Sequence, residues 1–465
     1  MSFLDKLIKS LPAVKGPEEK HVPFNTKLKW TLLILSAFYI LSIVPLHGLG
    51  ENALSQFESI SILLGASFGS LLSLGIGPIV TSSIVLQLLT GSGILNFDTK
   101  TAEGKMKFQG IQKITAIGFV IFEAIIYVYL GGLAPPSTSS SYQSLQAFLA
   151  FQLFIGGMLV LYMDEVLTKW GFGSGTSLFI AAGVASQLFV RILSPLTRAG
   201  TFAIGSGESP VGQIWVLIFS LLNRNPKEAI LAAVLILFTA IIFMVAVYAQ
   251  SMKVEIPLSF GRIRGQGIRW PLKFMYTSNI PVILIAALFA NIQLWARLLE
   301  SWGRPILGTF VGNVPSSGVI SWLFAPNLPA EIIGGSFAPI LILKSIVYIL
   351  AFVIGSIIFS IFWVQTSGMD ASSQAKQIIS SGLQIPGFRR DPRVIEKLLE
   401  RYISPLTVMG AVAVGFLAAT ADLLGSLTSG TGLLLTVMII YRLYEDIAKQ
   451  HMVDMYPGLK KMISN

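Results

Sequence analysis

Long apolar runs separated by short polar stretches fill this chain from end to end. Crossing roughly 30 Å of hydrocarbon at 1.5 Å per residue takes about 20 apolar residues in a helix. Ten segments read as spans: Leu28 to Leu46, Ile76 to Leu95, Ile111 to Leu130, Leu145 to Leu161, Ser177 to Leu193, Ile230 to Val247, Phe274 to Trp295, Ile340 to Trp363, Leu406 to Leu424 and Leu433 to Leu443. The last is long enough only if Thr428 to Gly432 joins it. Trp215 to Leu222 is too short to cross a bilayer of ordinary thickness. The pattern predicts an all-α membrane protein with ten transmembrane helices.

Composition agrees with the pattern. With 53% hydrophobic residues, 12% charged residues and a mean hydropathy of +0.73, a soluble globular enzyme is excluded. Basic residues flanking spans accumulate on the cytoplasmic side. If the spans alternate from a cytoplasmic start, 26 of the 33 Lys and Arg residues fall inside, which predicts a multi-pass protein with both termini cytoplasmic. The first thirty residues, basic through Lys6, Lys9, Lys15, Lys20, Lys27 and Lys29, lead straight into a full span and carry no signal-peptide pattern. The absence of cysteine excludes disulfides, thiolate metal sites and thiol catalysis. His21, His47 and His451 lack metalloprotease spacing, and no phosphate-binding lysine loop occurs. No cofactor, metal or catalytic group is expected.

These boundaries predict a cytoplasmic tail at 1–27, a first five-helix half at 28–193, an external connection at 194–229, a second half at 230–447 and a cytoplasmic tail at 448–465. The second half carries cytoplasmic loops at 249–273 and 365–404, longer than orientation requires. Their arginines suit either anionic lipid or a phosphate-bearing partner such as RNA. An odd number of spans per half permits two halves of opposite orientation with a pathway between them, although no convincing internal sequence identity is visible.

The segment from Glu51 to Leu95 reads as two pieces. Ser55 to Ser73 is too polar for lipid and too apolar for water, which predicts a short re-entrant helix. Gly75-Ile76-Gly77-Pro78 then breaks the backbone, and broken backbone at membrane depth survives only inside protein or beside a watery cavity. The following span carries one aliphatic stripe, Ile76, Val80 and Ile84, and one polar stripe, Thr81, Ser82, Ser83 and Gln87. The polar stripe fits a cavity lining or ordinary packing through small residues. Glu123 is an ionisable residue deep in a span, so it should face the bundle, either as a structural hydrogen-bonding group or as part of a pathway.

Gly75-Ile-Gly-Pro-Ile-Val-Thr-Ser-Ser-Ile-Val-Leu-Gln-Leu-Leu89, Ser278-Asn-Ile-Pro-Val-Ile283, Pro405-Leu-Thr-Val-Met409 and Thr431-Gly-Leu-Leu-Leu-Thr436 resemble the SecY family of protein-conducting channels. The wording is closer to archaeal than bacterial members, and the likeness runs nearly end to end. The resemblance implies two inverted five-helix halves around an hourglass pore, with a plug helix near 55–64 that includes Ser55, Phe57, Ile60 and Leu64. It implies a pore ring of Ile76, Val80, Thr176, Ile180, Ile280, Ile283 and Leu435. Thr176 stands where the family pattern has an aliphatic residue, which makes the implied ring slightly more polar. The resemblance also implies a lateral gate with Thr81, Glu123 and Asn291, and ribosome-docking loops with Arg262, Arg264, Arg389 and Arg390. The implied partners are a SecE-like subunit, a small beta subunit, the ribosome with its RNA, nascent polypeptides with their signal sequences, and membrane lipid. The residues on their own leave a secondary transporter of a small solute open as the alternative, because transporters also use inverted halves and broken helices.

Overall fold

The computed structural model describes residues 10–18, 22–52, 66–91, 93–95, 101–136, 141–197, 201–203, 208–260, 267–277, 279–312, 314–380, 383–384 and 391–455. Its helices are α1 (Phe24–Ile43), α2 (Gly77–Gly91), α3 (Ala102–Tyr129), α4 (Tyr142–Trp170), α5 (Gly175–Leu193), α6 (Gln213–Leu222), α7 (Pro226–Ser251), α8 (Ile280–Ser301), α9 (Leu328–Gly334), α10 (Ile340–Ser367), α11 (Ala371–Ser380), α12 (Pro392–Leu423) and α13 (Gly430–Met455). Among the described residues eight of these, α1, α3, α4, α5, α7, α8, α10 and α12, are long and apolar enough to cross a membrane. The chain is a mostly helical membrane protein.

The helices begin where local chemistry dictates. Thr101 caps α3 by accepting from the Gly104 amide, and Asp391 caps α12 ahead of Pro392. α10 ends at Gly368, whose φ of +71° closes the last turn in the left-handed region. α2 has only 15 residues, about 22 Å of rise, too little for the hydrocarbon layer. Residues 66–76 complete its depth as turns, and Leu72, Ser73, Leu74 and Ile76 there are essentially inaccessible. Non-helical backbone is tolerated at that depth because protein surrounds it.

Two expectations are corrected here. The semi-polar stretch predicted as helix through Ser73 is turned rather than helical from Ala66 onward. Its hydroxyls serve those turns: Ser70 donates to the Ser67 carbonyl at 2.7 Å and Ser73 to the Ser70 carbonyl at 2.6 Å. The fold is also not purely helical. Glu51–Asn52 (β1) pairs with Leu133–Ala134 (β2), and Phe310–Val311 (β5) with Val314–Pro315 (β6). The segments predicted as loops at 249–273 and 365–404 are largely folded. Lys253–Phe260 (β3) and Gly267–Lys273 (β4) form an antiparallel hairpin, and Leu383–Gln384 (β7) joins the other edge of β3. Ile256 and Leu272 of this sheet share a buried cluster with Ala375 and Ile378 of α11 and Ile395, Leu399 and Ile403 of α12. Apolar residues spaced through charged sequence thus build a small core outside the membrane layer.

Packing repeats itself along the chain. In the first five long segments α2 packs on α3, α3 on α4, α4 on α5 and α1 on α4; later α8 packs on α10, α10 on α12, α12 on α13 and α7 on α12. The two sets meet where α5 packs on α13 and α2 on α8 and α10. The helix at this junction, α8, is 67% buried along its apolar window, against 22% for the peripheral α7. α7 turns Ile230, Leu237, Phe243 and Met244 outward, an apolar exterior suited to lipid or to another apolar helix.

Candidate functional site

An aliphatic cluster lies at the junction. Ile76, Val80, Ile180, Ile283 and Leu435 are each at most 6% exposed and belong to one buried cluster, with Ile280 packed against it. α5 and α13 enter the cluster from opposite directions. A Cβ placed on Gly432, near the start of α13, would stand 3.1 Å from the Val184 side chain in the middle of α5. Arg191, near the end of α5, donates to the Leu427 carbonyl just before α13 at 3.1 Å. Three residues further along α13, Leu435 therefore comes level with Ala181, next to Ile180.

A cavity of about 620 Å³ opens beside this cluster, lined by Val80, Thr176, Ile280 and Ile283 together with Ser83, Gln87, Gln112, Asp164, Asn279, Arg442 and Asp446. Of the residues expected to form a ring, these four line it, while Ile76, Ile180 and Leu435 lie in the packed cluster outside its lining. Thr176 differs from the others. Its amide and hydroxyl both donate to Asp164 Oδ1, at 2.6 and 3.0 Å.

The three residues expected at a gate are brought together from three helices. Asn291 of α8 donates through Nδ2 to Thr81 Oγ1 of α2 at 3.1 Å, and Thr81 Oγ1 lies 2.8 Å from the Gly77 carbonyl and 3.4 Å from Glu123 Oε1 of α3. Glu123 is 1% exposed, so it faces the bundle as the cost of a carboxyl in lipid requires. Its Oε2 and Asn291 Oδ1 are buried with no hydrogen-bond partner.

The rest of the polar stripe on α2 goes elsewhere. Ser82 donates to the Gln112 carbonyl at 2.8 Å, and Gln112 Nε2 donates to Ser83 at 2.6 Å. These bonds fasten α2 to α3, leaving Thr81 as the stripe's hydrogen-bonding link to α8. At the other end of α2, a Cβ on Gly91 would stand 2.3 Å from the Phe362 ring of α10, so the two helices touch there through a glycine. Sequence reasoning missed Gln112, Gly91 and Phe362. Glycine before a break is a visible signal, but a ring seated on it from 271 residues away is not.

The expected plug residues Ser55, Phe57, Ile60 and Leu64, and the docking arginines Arg262, Arg264, Arg389 and Arg390, lie outside the described residues. The strands that flank the two arginine segments are neighbours: Ser259 and Phe260 of β3 pair with Gln384 and Leu383 of β7. Lys273 of β4 forms an ion pair with Glu445 of α13, tying this sheet to the helix that carries Leu435.

Comparison with known proteins identifies the family. The SecY family model matches residues 70–444. The protein translocase subunit SecY of Methanothermobacter thermautotrophicus is 42% identical over 465 residues, 99% of this chain and 98% of that one. The corresponding subunit of Methanocaldococcus jannaschii is 40% identical over 467 residues, all of both chains. A solved structure of a protein-conducting channel superposes with a TM-score of 0.82 at 38% identity, covering 97% of this chain and 98% of that chain. Sec61 in the canine ribosome-channel complex superposes with a TM-score of 0.79 at 38% identity over the same shares. The chain belongs to the SecY family.

Proposed function

We propose that this chain is the channel-forming subunit of a protein translocase, passing unfolded polypeptides across the membrane and releasing apolar segments sideways into lipid. The observation that carries the reading is the aliphatic cluster at the junction of the two helix sets, beside a cavity. A polypeptide channel has to pass any side chain and still hold back ions. Aliphatic side chains suit both demands, because they offer water and ions no hydrogen bonds and can yield around a passing chain. No chemical step is required of the protein.

The finer architecture follows from the same reading. Ten spans in two inverted five-helix halves are supported by the repeated packing pairs and by the antiparallel course of α5 and α13. The starts of α5 and α8 and the ends of α4 and α10 line the cavity, and the basic-residue bias assigns all four to the cytoplasm. The cavity is then the cytoplasmic funnel, the membrane is the cell membrane, and both termini are cytoplasmic. In this reading Ile76, Val80, Ile180, Ile280, Ile283 and Leu435 form the waist and the segment near 55–64 is its plug. The seam between α2 with α3 and α8 with α10 is the lateral gate. The loops carrying Arg262, Arg264, Arg389 and Arg390 dock the ribosome, a role supported by the adjacency of their flanking strands. A SecE-like subunit and a small beta subunit complete the assembly.

A stalled nascent chain carrying a photoreactive residue tests the proposal. In membranes containing the assembled translocase it is expected to crosslink to a probe site at position 283. Absence of that adduct, together with saturable uptake of a small solute by the purified chain in liposomes, would establish the transporter alternative instead.

A further inference from the structure

Ser174-Gly175-Thr176 and Ser429-Gly430-Thr431 are the same three residues, each at the start of a helix, α5 and α13. Three features of the first have counterparts in the second: a serine cap, a glycine against the preceding helix, and a threonine bonded to an aspartate. Ser174 accepts from the Ser177 amide at 3.4 Å, and Ser429 from the Gly432 amide at 3.2 Å. Gly175 lies so close to α4 that a Cβ on it would stand 2.6 Å from Asp164 Cα; a Cβ on Gly430 would stand 2.4 Å from the Asp422 nitrogen of α12. Thr176 gives its amide and hydroxyl to Asp164, and Thr431 gives its amide to Asp422 Oδ1 at 2.8 Å and its hydroxyl to Asp422 Oδ2. Asp422 also accepts from the Tyr348 hydroxyl of α10 at 2.8 Å. In both units a carboxyl group meets the unpaired amides of a following helix, an arrangement that fixes how far that helix slides past its neighbour.

The spacing beyond the units is also shared. Ile180 follows Thr176 by four residues, and Leu435 follows Thr431 by four. Since α5 and α13 are antiparallel, the two units sit on opposite sides of the level where Ile180 and Leu435 meet, each about 6 Å of helical rise away from it. We propose that Asp164 and Asp422 are twin positioning residues that hold α5 and α13 in axial register, so that Ile180 and Leu435 close the waist at one level. Thr176 is accordingly an anchor, its hydroxyl committed to Asp164, rather than a member of the seal. The inference rests on the waist assignment made above and supplies its means of alignment.

The chain has no cysteine, so introduced pairs report only on one another. In membranes containing the assembled translocase, Leu435→Cys is combined in turn with Ser177→Cys, Ile180→Cys and Val184→Cys, and a short thiol crosslinker is applied. The parent is expected to crosslink best through 180. Adding Asp164→Ala or Asp422→Ala should move the maximum toward 177 or 184, a slip of up to one turn or about 5 Å, and raise resting ion conductance. Thr431→Ser, which keeps the hydroxyl, should retain the parental pattern. An unchanged maximum, or an equal loss of all three crosslinks, would overturn the anchor role. If the alanine variants do not accumulate, Asp164→Asn and Asp422→Asn should shift the maximum the same way to a smaller extent, and an unchanged maximum there would equally overturn it. A shifted maximum without added conductance would uphold the anchors and count against the waist assignment.

Discussion

Ile180 and Ile283 are 1% and 6% exposed, so their side chains are already largely removed from water. Burial of each contributes about 1.5–3 kcal/mol, and none of that depends on a specific partner. A serine at either position would lose this contribution and offer water a hydrogen bond at the narrowest level. The double variant Ile180→Ser with Ile283→Ser is therefore expected to raise resting ion conductance in planar bilayers severalfold over the parent. Equal leak would mean that the barrier lies elsewhere. Gly91 presents the opposite problem, too little room. A Cβ there would enter the Phe362 ring, and overpacking of this kind costs roughly 1–3 kcal/mol. Gly91→Leu should push α2 away from α10 and favour the parted seam. The check is an increase in reaction of a cysteine introduced at the buried Phe359, about one turn before Phe362 on α10, with a membrane-permeant thiol reagent, measured against the same cysteine in a Gly91 background.

Helices and strands differ in how far the linear pattern exposes them. The predicted Ser177 to Leu193 and Ile340 to Trp363 fall within a few residues of α5 and α10, because apolar content and helix end together there. The predicted Leu406 to Leu424 recovers only part of α12. That helix starts at Pro392 and passes through Pro405, and its first turns pack on α11 with charged residues outward, so hydropathy is blind to them. The β3–β4 hairpin escaped for a related reason. Its charged positions read as loop, while its buried positions among the described side chains, Ile256 and Leu272, are too few to form a run. The Thr81–Asn291 bond joins residues 210 apart, a separation that no local periodicity encodes. Thr81 was legible as part of a polar stripe, but Asn291 and the pairing entered only through likeness to a family.

The hairpin also has a pH dependence of known sign. The Glu255 carboxyl is held below the usual carboxylate range by its hydrogen bond from Arg269, at 3.2 Å, with Lys253 adding to the effect. A carboxyl with a lowered value in the folded state contributes stability that is complete above its unfolded value and fades as the pH falls through the folded one. The pair lies at the surface, so the contribution is small. Amide hydrogen exchange across β3 and β4, corrected for intrinsic rate, should quicken modestly between pH 6 and about pH 3. Glu255→Gln should remove that dependence.

Viewed whole, the molecule divides two tasks between its faces. On the face proposed to be cytoplasmic, the arginines of the segments flanked by the adjacent strands β3 and β7 are proposed to supply bidentate contacts to phosphate. Arg389→Glu with Arg390→Glu is expected to weaken cosedimentation with ribosomes at physiological salt, while leaving the waist and its conductance at rest untouched. Within the membrane, the seam sorts chains by how greasy they are. An aliphatic residue gains roughly 0.3–0.6 kcal/mol in lipid, whereas a central charge loses about 2.5–3.5, so a sideways opening lets the sequence of the passenger decide its own fate. The threshold for leaving the channel is then set by how firmly the seam closes. In the parent it is held across α2 and α8 by one hydrogen bond at 3.1 Å, beside two buried oxygens that have no partner. Asn291→Leu exchanges that bond, worth about 0.5–1.5 kcal/mol, for apolar contact worth about 1.5–3. The closed state gains on the order of 1 kcal/mol, so a passenger segment needs about two or three additional leucines to insert half the time. A graded leucine series in a reporter protein, scored by glycosylation on either side of the membrane, reads that midpoint directly. A midpoint that stays in place would show that the polar cluster does not govern the sorting.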